Sequence, residues 1–80
     1  MLLKYFSEAM RKAHYEFLEN DRKFYGEIPQ CKGVYATGKN LEECREQLEE
    51  VLEEWILLRV SKNLQTPSFS GIRLKIKEHV

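Results

Sequence analysis

Apolar residues at the start of the chain change from helical to alternating spacing. Over residues 2–12 they form one helical stripe, made of Leu2, Leu3, Phe6, Ala9 and Met10. Residues 13–18 then alternate, which places Ala13, Tyr15 and Phe17 on one face of a strand. The pattern predicts a short helix followed directly by a first strand.

Turn-forming residues divide the next stretch into two further strands. Asn20-Asp21-Arg22 has turn chemistry, because Asn and Asp tolerate left-handed backbone. Residues 23–28 are therefore predicted to return as the second strand of a hairpin, which Pro29 ends by removing a ladder donor. A third short strand is predicted over residues 34–37, closed by Gly38.

The longest helical pattern follows the third strand. Asn40 can cap the free backbone amides of a helix, and Glu43 stands where a capping box places its carboxylate. Apolar residues then recur at helical spacing to about residue 61, at Leu41, Cys44, Leu48, Val51, Leu52, Trp55 and Leu58. Such a helix spans about 30 Å and can cover the breadth of a small sheet.

The end of the chain returns to strand spacing. Residues 61–71, with Pro67, are predicted to form a loop, and residues 72–77 alternate between apolar and cationic side chains. The element order is therefore α-β-β-β-α-β, a two-layer α+β fold. We expect one domain over residues 1–80, because a chain of 80 residues cannot enclose a second core.

Composition narrows the class of protein. Thirteen basic and thirteen acidic residues give no net charge, which argues against a dedicated nucleic-acid binder and does little to prevent self-association. No apolar run approaches the ~18 residues of a membrane span, and no signal peptide is visible. Cys31 and Cys44 are interpreted as reduced thiols of a cytoplasmic protein.

Motifs for catalysis or metal binding are missing from the sequence. There is no CxxC, HxxxH or HExxH spacing, no GxSxG elbow and no glycine-rich phosphate loop. We therefore predict no catalytic residue, metal or cofactor. A metal site assembled in space from Cys31, Cys44 and His14 stays open as an alternative.

The long helix carries seven glutamates, mainly opposite its apolar stripe, at positions 42, 43, 46, 49, 50, 53 and 54. They form either a solvated face or an acidic ridge for a basic partner, and the repulsion between neighbours four residues apart favours a use for the charge. The aromatic residues are assigned to the core or to protein interfaces, since few cations stand beside them for RNA stacking: Tyr5, Tyr15, Tyr25, Tyr35 and Trp55.

Four segments in this order resemble the HicB family of type II antitoxins, in particular its short single-domain members. The segments are Ala13-His14-Tyr15-Glu16-Phe17, Phe24-Tyr25-Gly26-Glu27-Ile28-Pro29, Gly33-Val34-Tyr35-Ala36, and Leu41-Glu42-Glu43-Cys44 with the helix to Leu58. The resemblance implies a degraded, catalytically inactive ribonuclease-H-like fold. It also implies a HicA-like partner, a small messenger-RNA-cleaving ribonuclease that the antitoxin occludes, and a homodimer or homotetramer. Longer members add a C-terminal DNA-binding domain, which we do not expect here.

We predict that this partner contacts two groups of residues, one on the sheet and one on the helix: Tyr25, Glu27, Tyr35, Glu46, Glu50 and Glu53. Two other hypotheses remain. The chain could be a solitary HicB-like scaffold or adaptor without a toxin, or a small metal-dependent nuclease that uses acids such as Glu16 and Glu27.

Overall fold

The computed structural model describes residues 2–67, with side chains from Lys4 onward. This part of the chain contains two helices and three strands. The predicted order is confirmed as far as the second helix, and the strand predicted over residues 72–77 lies outside the described residues. The elements are α1 (Leu2–Arg11), β1 (His14–Leu18), β2 (Lys23–Glu27), β3 (Tyr35–Gly38) and α2 (Leu41–Ser61).

The three strands form one antiparallel sheet in the order β1-β2-β3. Tyr15 lies opposite Gly26, and Gly26 lies opposite Ala36, so these three residues share one face. The turn predicted before β2 is confirmed. Its left-handed residue is Arg22, with φ 53°, and not one of the two residues before it.

Helix α2 packs closely against the face of the sheet that carries Gly26. Its N-cap is the predicted one, because the Asn40 side chain accepts a hydrogen bond of 2.7 Å from the Glu43 backbone amide. The first turns of α2 then run over β2 and β3. A Cβ built on Gly38 would lie 2.7 Å from the Cα of Cys44, so this approach requires a residue without a side chain.

The core lies between the inner face of the sheet and the two helices. Its buried side chains come from α1, from the loop between β2 and β3, and from α2: Tyr5, Ala9, Ile28, Cys31, Val34, Cys44, Leu48, Leu52 and Ile56. No helix within residues 2–67 has both the length and the apolar character needed to cross a membrane.

The structure corrects the predicted helix stripes at several positions. In α1 the fully buried residues are Tyr5 and Ala9, and the sequence stripe omitted Tyr5. In α2 the predicted stripe included Leu41 and Leu58, but both are about half exposed, and it omitted the buried Ile56. The physical reason is angular position: the buried line of α2 runs through Cys44, Leu48, Leu52 and Ile56, and Leu58 lies about 200° around the axis from Ile56.

Candidate partner-binding surfaces

The face of the sheet opposite α2, here called the outer sheet face, carries three of the predicted contact residues. Alternation along the strands places Tyr25, Glu27 and Tyr35 there, because Gly26 and Ala36 between them point towards α2. Tyr35 is 58% exposed, whereas Tyr25 and Glu27 are half-buried. The structure therefore brings these three residues together on one open surface.

Tyr25 is the centre of this group. Its ring stacks on that of Tyr35, with 6.2 Å between the ring centroids and 27° between the ring planes. Its hydroxyl donates a hydrogen bond of 3.0 Å to the Glu27 Oε1. Partial burial raises the pKa of the Tyr25 phenol, and the neighbouring Glu27 carboxylate raises it further. The Tyr25 hydroxyl is therefore a hydrogen-bond donor beside the stacked ring of Tyr35.

The other three predicted contact residues lie on the opposite side of the molecule. Glu46, Glu50 and Glu53 are exposed on α2, turned away from the buried stripe and therefore away from the sheet. None of the three makes an ion pair with any residue between positions 2 and 67. The six predicted residues thus form two separate groups on opposite layers of the fold, and a single flat partner surface cannot contact both.

The three glutamates border a surface channel between the helices, here called the α1–α2 groove. It has a volume of about 500 Å³. Its lining combines three apolar side chains with four glutamates: Phe6, Ile56, Leu57, Glu46, Glu49, Glu50 and Glu53. Glu49 also lies 3.7 Å from the Arg45 Nε in an ion pair, whereas the other three glutamates make no ion pair with any of the described residues.

None of the three apolar residues of this groove was identified from the sequence as a groove residue: Phe6, Ile56 and Leu57. Leu57 is 57% exposed and lies four residues after Glu53 and seven after Glu50, which puts it on the acidic face of α2. That spacing could have identified it. Phe6 could not be placed in the same way, because its position beside α2 depends on how α1 packs.

Cys31 and Cys44 are both free, buried thiols. Burial raises the pKa of the Cys31 thiol to about 11, and burial also raises that of Cys44. The Cys44 thiol lies 3.6 Å from the carbonyl oxygen of Ala36 and donates to it. His14 is on the outer sheet face, so these side chains do not converge. Among residues 2–67 no group of three or more His, Cys, Asp or Glu side chains is placed to hold a metal ion.

The remaining aromatic residues named in the sequence divide between core and surface. Tyr5 is fully buried, as a core assignment requires. Trp55 donates from its Nε1 to the Lys32 carbonyl at 3.2 Å, which holds the loop between β2 and β3 against α2. The Arg59 guanidinium lies 4.7 Å from the centre of the Trp55 ring, in a cation–π contact.

Comparison with known proteins identifies relatives of this fold. The UPF0150-like family model matches residues 4–67. Among solved structures, the crystal structure of TTHA0281 from Thermus thermophilus is similar, with a TM-score of 0.90 and 39% identity, over 96% of this chain and 95% of that one. No curated protein has a significantly similar sequence.

Proposed function

The chain belongs to the UPF0150-like family, and we propose that it is a HicB-type antitoxin, which binds a HicA-like ribonuclease and blocks its access to messenger RNA. In this proposal the protein performs no chemistry, works in the cytoplasm and has the ribonuclease-H-like ancestry that the HicB resemblance implies. Its partner is a protein, and it needs no cofactor.

The observation that carries the proposal is the acidic surface of α2. A ribonuclease that binds single-stranded messenger RNA needs cationic side chains against the phosphates. Glu46, Glu50 and Glu53 are exposed and make no ion pair with any of the described residues, so they are available to those cations. Complementary charge of this kind speeds encounter and orients the two proteins, and it competes directly with RNA for the same surface.

The buried thiols are consistent with a binding role. The thiolate is the nucleophilic form of cysteine, and the raised pKa values of Cys31 and Cys44 keep both thiols protonated at neutral pH. The two cysteines therefore contribute to packing, and the exposed surfaces do the binding in this proposal.

Native purification followed by a ribonuclease assay tests the proposal. The tagged chain is purified from its host, the bound protein is released in denaturant and refolded, and its cleavage of a messenger RNA is measured with increasing amounts of the pure chain. We expect a small basic ribonuclease that one equivalent of the chain inhibits, with weaker inhibition at high salt. A co-purified protein without ribonuclease activity, or with activity that the chain leaves unchanged, contradicts the proposal.

A second candidate function is a solitary oligomeric scaffold, and the outer sheet face favours it. The stacked pair of Tyr25 and Tyr35 is an amphipathic surface of the kind enriched in protein interfaces. Under this alternative the purification yields only the chain itself, as a defined oligomer. Light scattering should then give a lower mass for Tyr35→Asp than for the unaltered protein, and an unchanged mass excludes this face as the interface.

A further inference from the structure

We propose that the α1–α2 groove is the docking site for an amphipathic helix of the partner, with the apolar stripe of that helix on the groove floor and its lysine or arginine side chains against the glutamates. This inference rests on the proposed function for the identity of the partner, but the surface and the chemistry of its occupant follow from the groove itself.

The floor of the groove is apolar where a surface helix is normally polar. Leu57 is more than half exposed, and it lines the groove together with Phe6 and the buried Ile56. Because the exposed Leu57 adjoins the apolar floor of the groove, the two together offer a site for a large apolar side chain of a partner.

The glutamates on the groove define the charge of the occupant. Glu46 and Glu50 lie one turn apart, and Glu53 lies about one turn further along the same face of α2. Their like charges repel, and no described residue neutralises them. A segment that combines an apolar stripe with flanking cations is complementary to both features, whereas an acidic segment or a phosphate-bearing ligand is repelled.

The length of the surface favours a helix over a small molecule. A second depression continues from the first and shares Phe6 and Glu49 with it, and it extends along α2 to Leu41. From Leu41 to Leu57 the helix rises about 24 Å, which matches a partner helix of about 16 residues. The second depression is lined by Arg11 and Arg45, so the cations of the partner belong at the end with the glutamates.

Designed peptides test the groove without any toxin. The probe is a synthetic helix of about 16 residues, the length set by the rise of α2. Leucines spaced three and four residues apart form its apolar stripe. The positions that flank this stripe are lysines in one half of the peptide and glutamines in the other half. One control peptide has glutamates in place of the lysines, and another has serines in place of the leucines. Binding to the full-length chain is measured by fluorescence anisotropy at about 0.15 M salt, where long-range attraction between exposed charges is screened.

Matched variants of the chain locate the binding. We expect the Leu–Lys probe to bind and both control peptides to bind at least tenfold more weakly. Leu57→Ser and the triple variant Glu46→Lys/Glu50→Lys/Glu53→Lys should each weaken the probe at least tenfold. The triple variant Glu16→Lys/Glu19→Lys/Glu54→Lys changes net charge equally, outside the groove lining, and should stay within threefold of the unaltered chain. Circular dichroism verifies that each variant is folded.

Three results overturn the inference: no binding of the probe, equal loss in the two triple variants, or full binding of the serine peptide. The proposed function has a separate readout, the inhibition of the ribonuclease. Inhibition that survives the groove variants would reject the groove and leave the antitoxin proposal intact. Peptide binding by a chain that inhibits no ribonuclease would reject the antitoxin proposal and leave the groove intact.

Discussion

Gly26 lies directly opposite Tyr15 in the sheet, and the ring of Tyr15 fills the space that a side chain on residue 26 would need. A Cβ there would lie 2.8 Å from two ring carbons of Tyr15 and 3.2 Å from the sulfur of Cys44. The ring therefore lies across the strand between the sheet and α2, and it joins the two layers at this point.

Gly26→Ala should destabilise the protein by about 1–3 kcal/mol, because the Tyr15 ring must move out of a packed layer. Urea denaturation of the purified variant measures the change. The matched background is Tyr15→Leu, in which the ring is gone, and there the same glycine substitution should cost clearly less. An equal cost in both backgrounds would mean that the ring is not what excludes a side chain.

Gly38→Ala should be more damaging than Gly26→Ala, with a loss of about 3 kcal/mol or more. Its Cβ would meet the backbone of Glu43 and Cys44, which moves only if α2 moves, whereas a tyrosine ring can rotate. The φ angle of Gly38 is not in the left-handed region, so the cost comes from the closeness of the helix alone. Thermal unfolding followed by circular dichroism ranks the two variants, and the reverse ranking would be inconsistent with this packing.

Asn40→Ala should lower the free energy of unfolding by about 1 kcal/mol, because the Glu43 amide loses its acceptor at the start of α2. Asn40→Asp and Asn40→Ser keep an oxygen in the same place and should retain most of the stability. Chemical denaturation of the three variants side by side provides the measurement. If all three lose the same amount, capping is not the role of Asn40.

Stability should fall at alkaline pH through Cys31. Burial holds the pKa of this thiol at about 11 in the folded chain, above the 9.0 of a free thiol. Below about pH 9 the thiol is protonated in both the folded and the unfolded chain, so its burial does not lower the free energy of unfolding. As the pH rises towards 11 the unfolded chain loses the proton first, so stability is lost.

Cys31→Ala removes this titration and isolates its contribution. Between about pH 8 and about pH 10.5 the unaltered protein should lose about 2 kcal/mol more than Cys31→Ala, since one pKa unit corresponds to about 1.4 kcal/mol. Urea midpoints at several pH values provide the comparison. Identical pH profiles for the two proteins would contradict a buried, protonated thiol.

The order of the described elements could be predicted from the sequence because each element has a local signal. Period-two alternation defined β1, and the cap at Asn40 fixed the start of α2 at Leu41, as the structure has it. The end of that helix at Ser61 also agrees with the prediction. These signals act over a few residues, so no tertiary information was needed.

Which residues form the core and the candidate site could be predicted only in part, because both depend on contacts between segments that are distant in the sequence. Tyr5 and Ile56 belong to one buried cluster, and their burial follows from the position of α1 beside α2. The predicted contact residues were selected by chemistry. That the two groups lie on opposite layers became visible only when the sheet face covered by α2 was known.

The buried residues of α2 recur every four residues, at Cys44, Leu48, Leu52 and Ile56. Because a helix turns once in about 3.6 residues, a four-residue step advances the buried line by about 40° around the axis, and three steps advance it by about 120°. The line therefore begins against β2 and β3 and ends beside α1. One residue inserted between Leu48 and Leu52 would rotate all later side chains by about 100° and would move Leu52 and Ile56 off the buried line, so the number of residues in this segment is fixed.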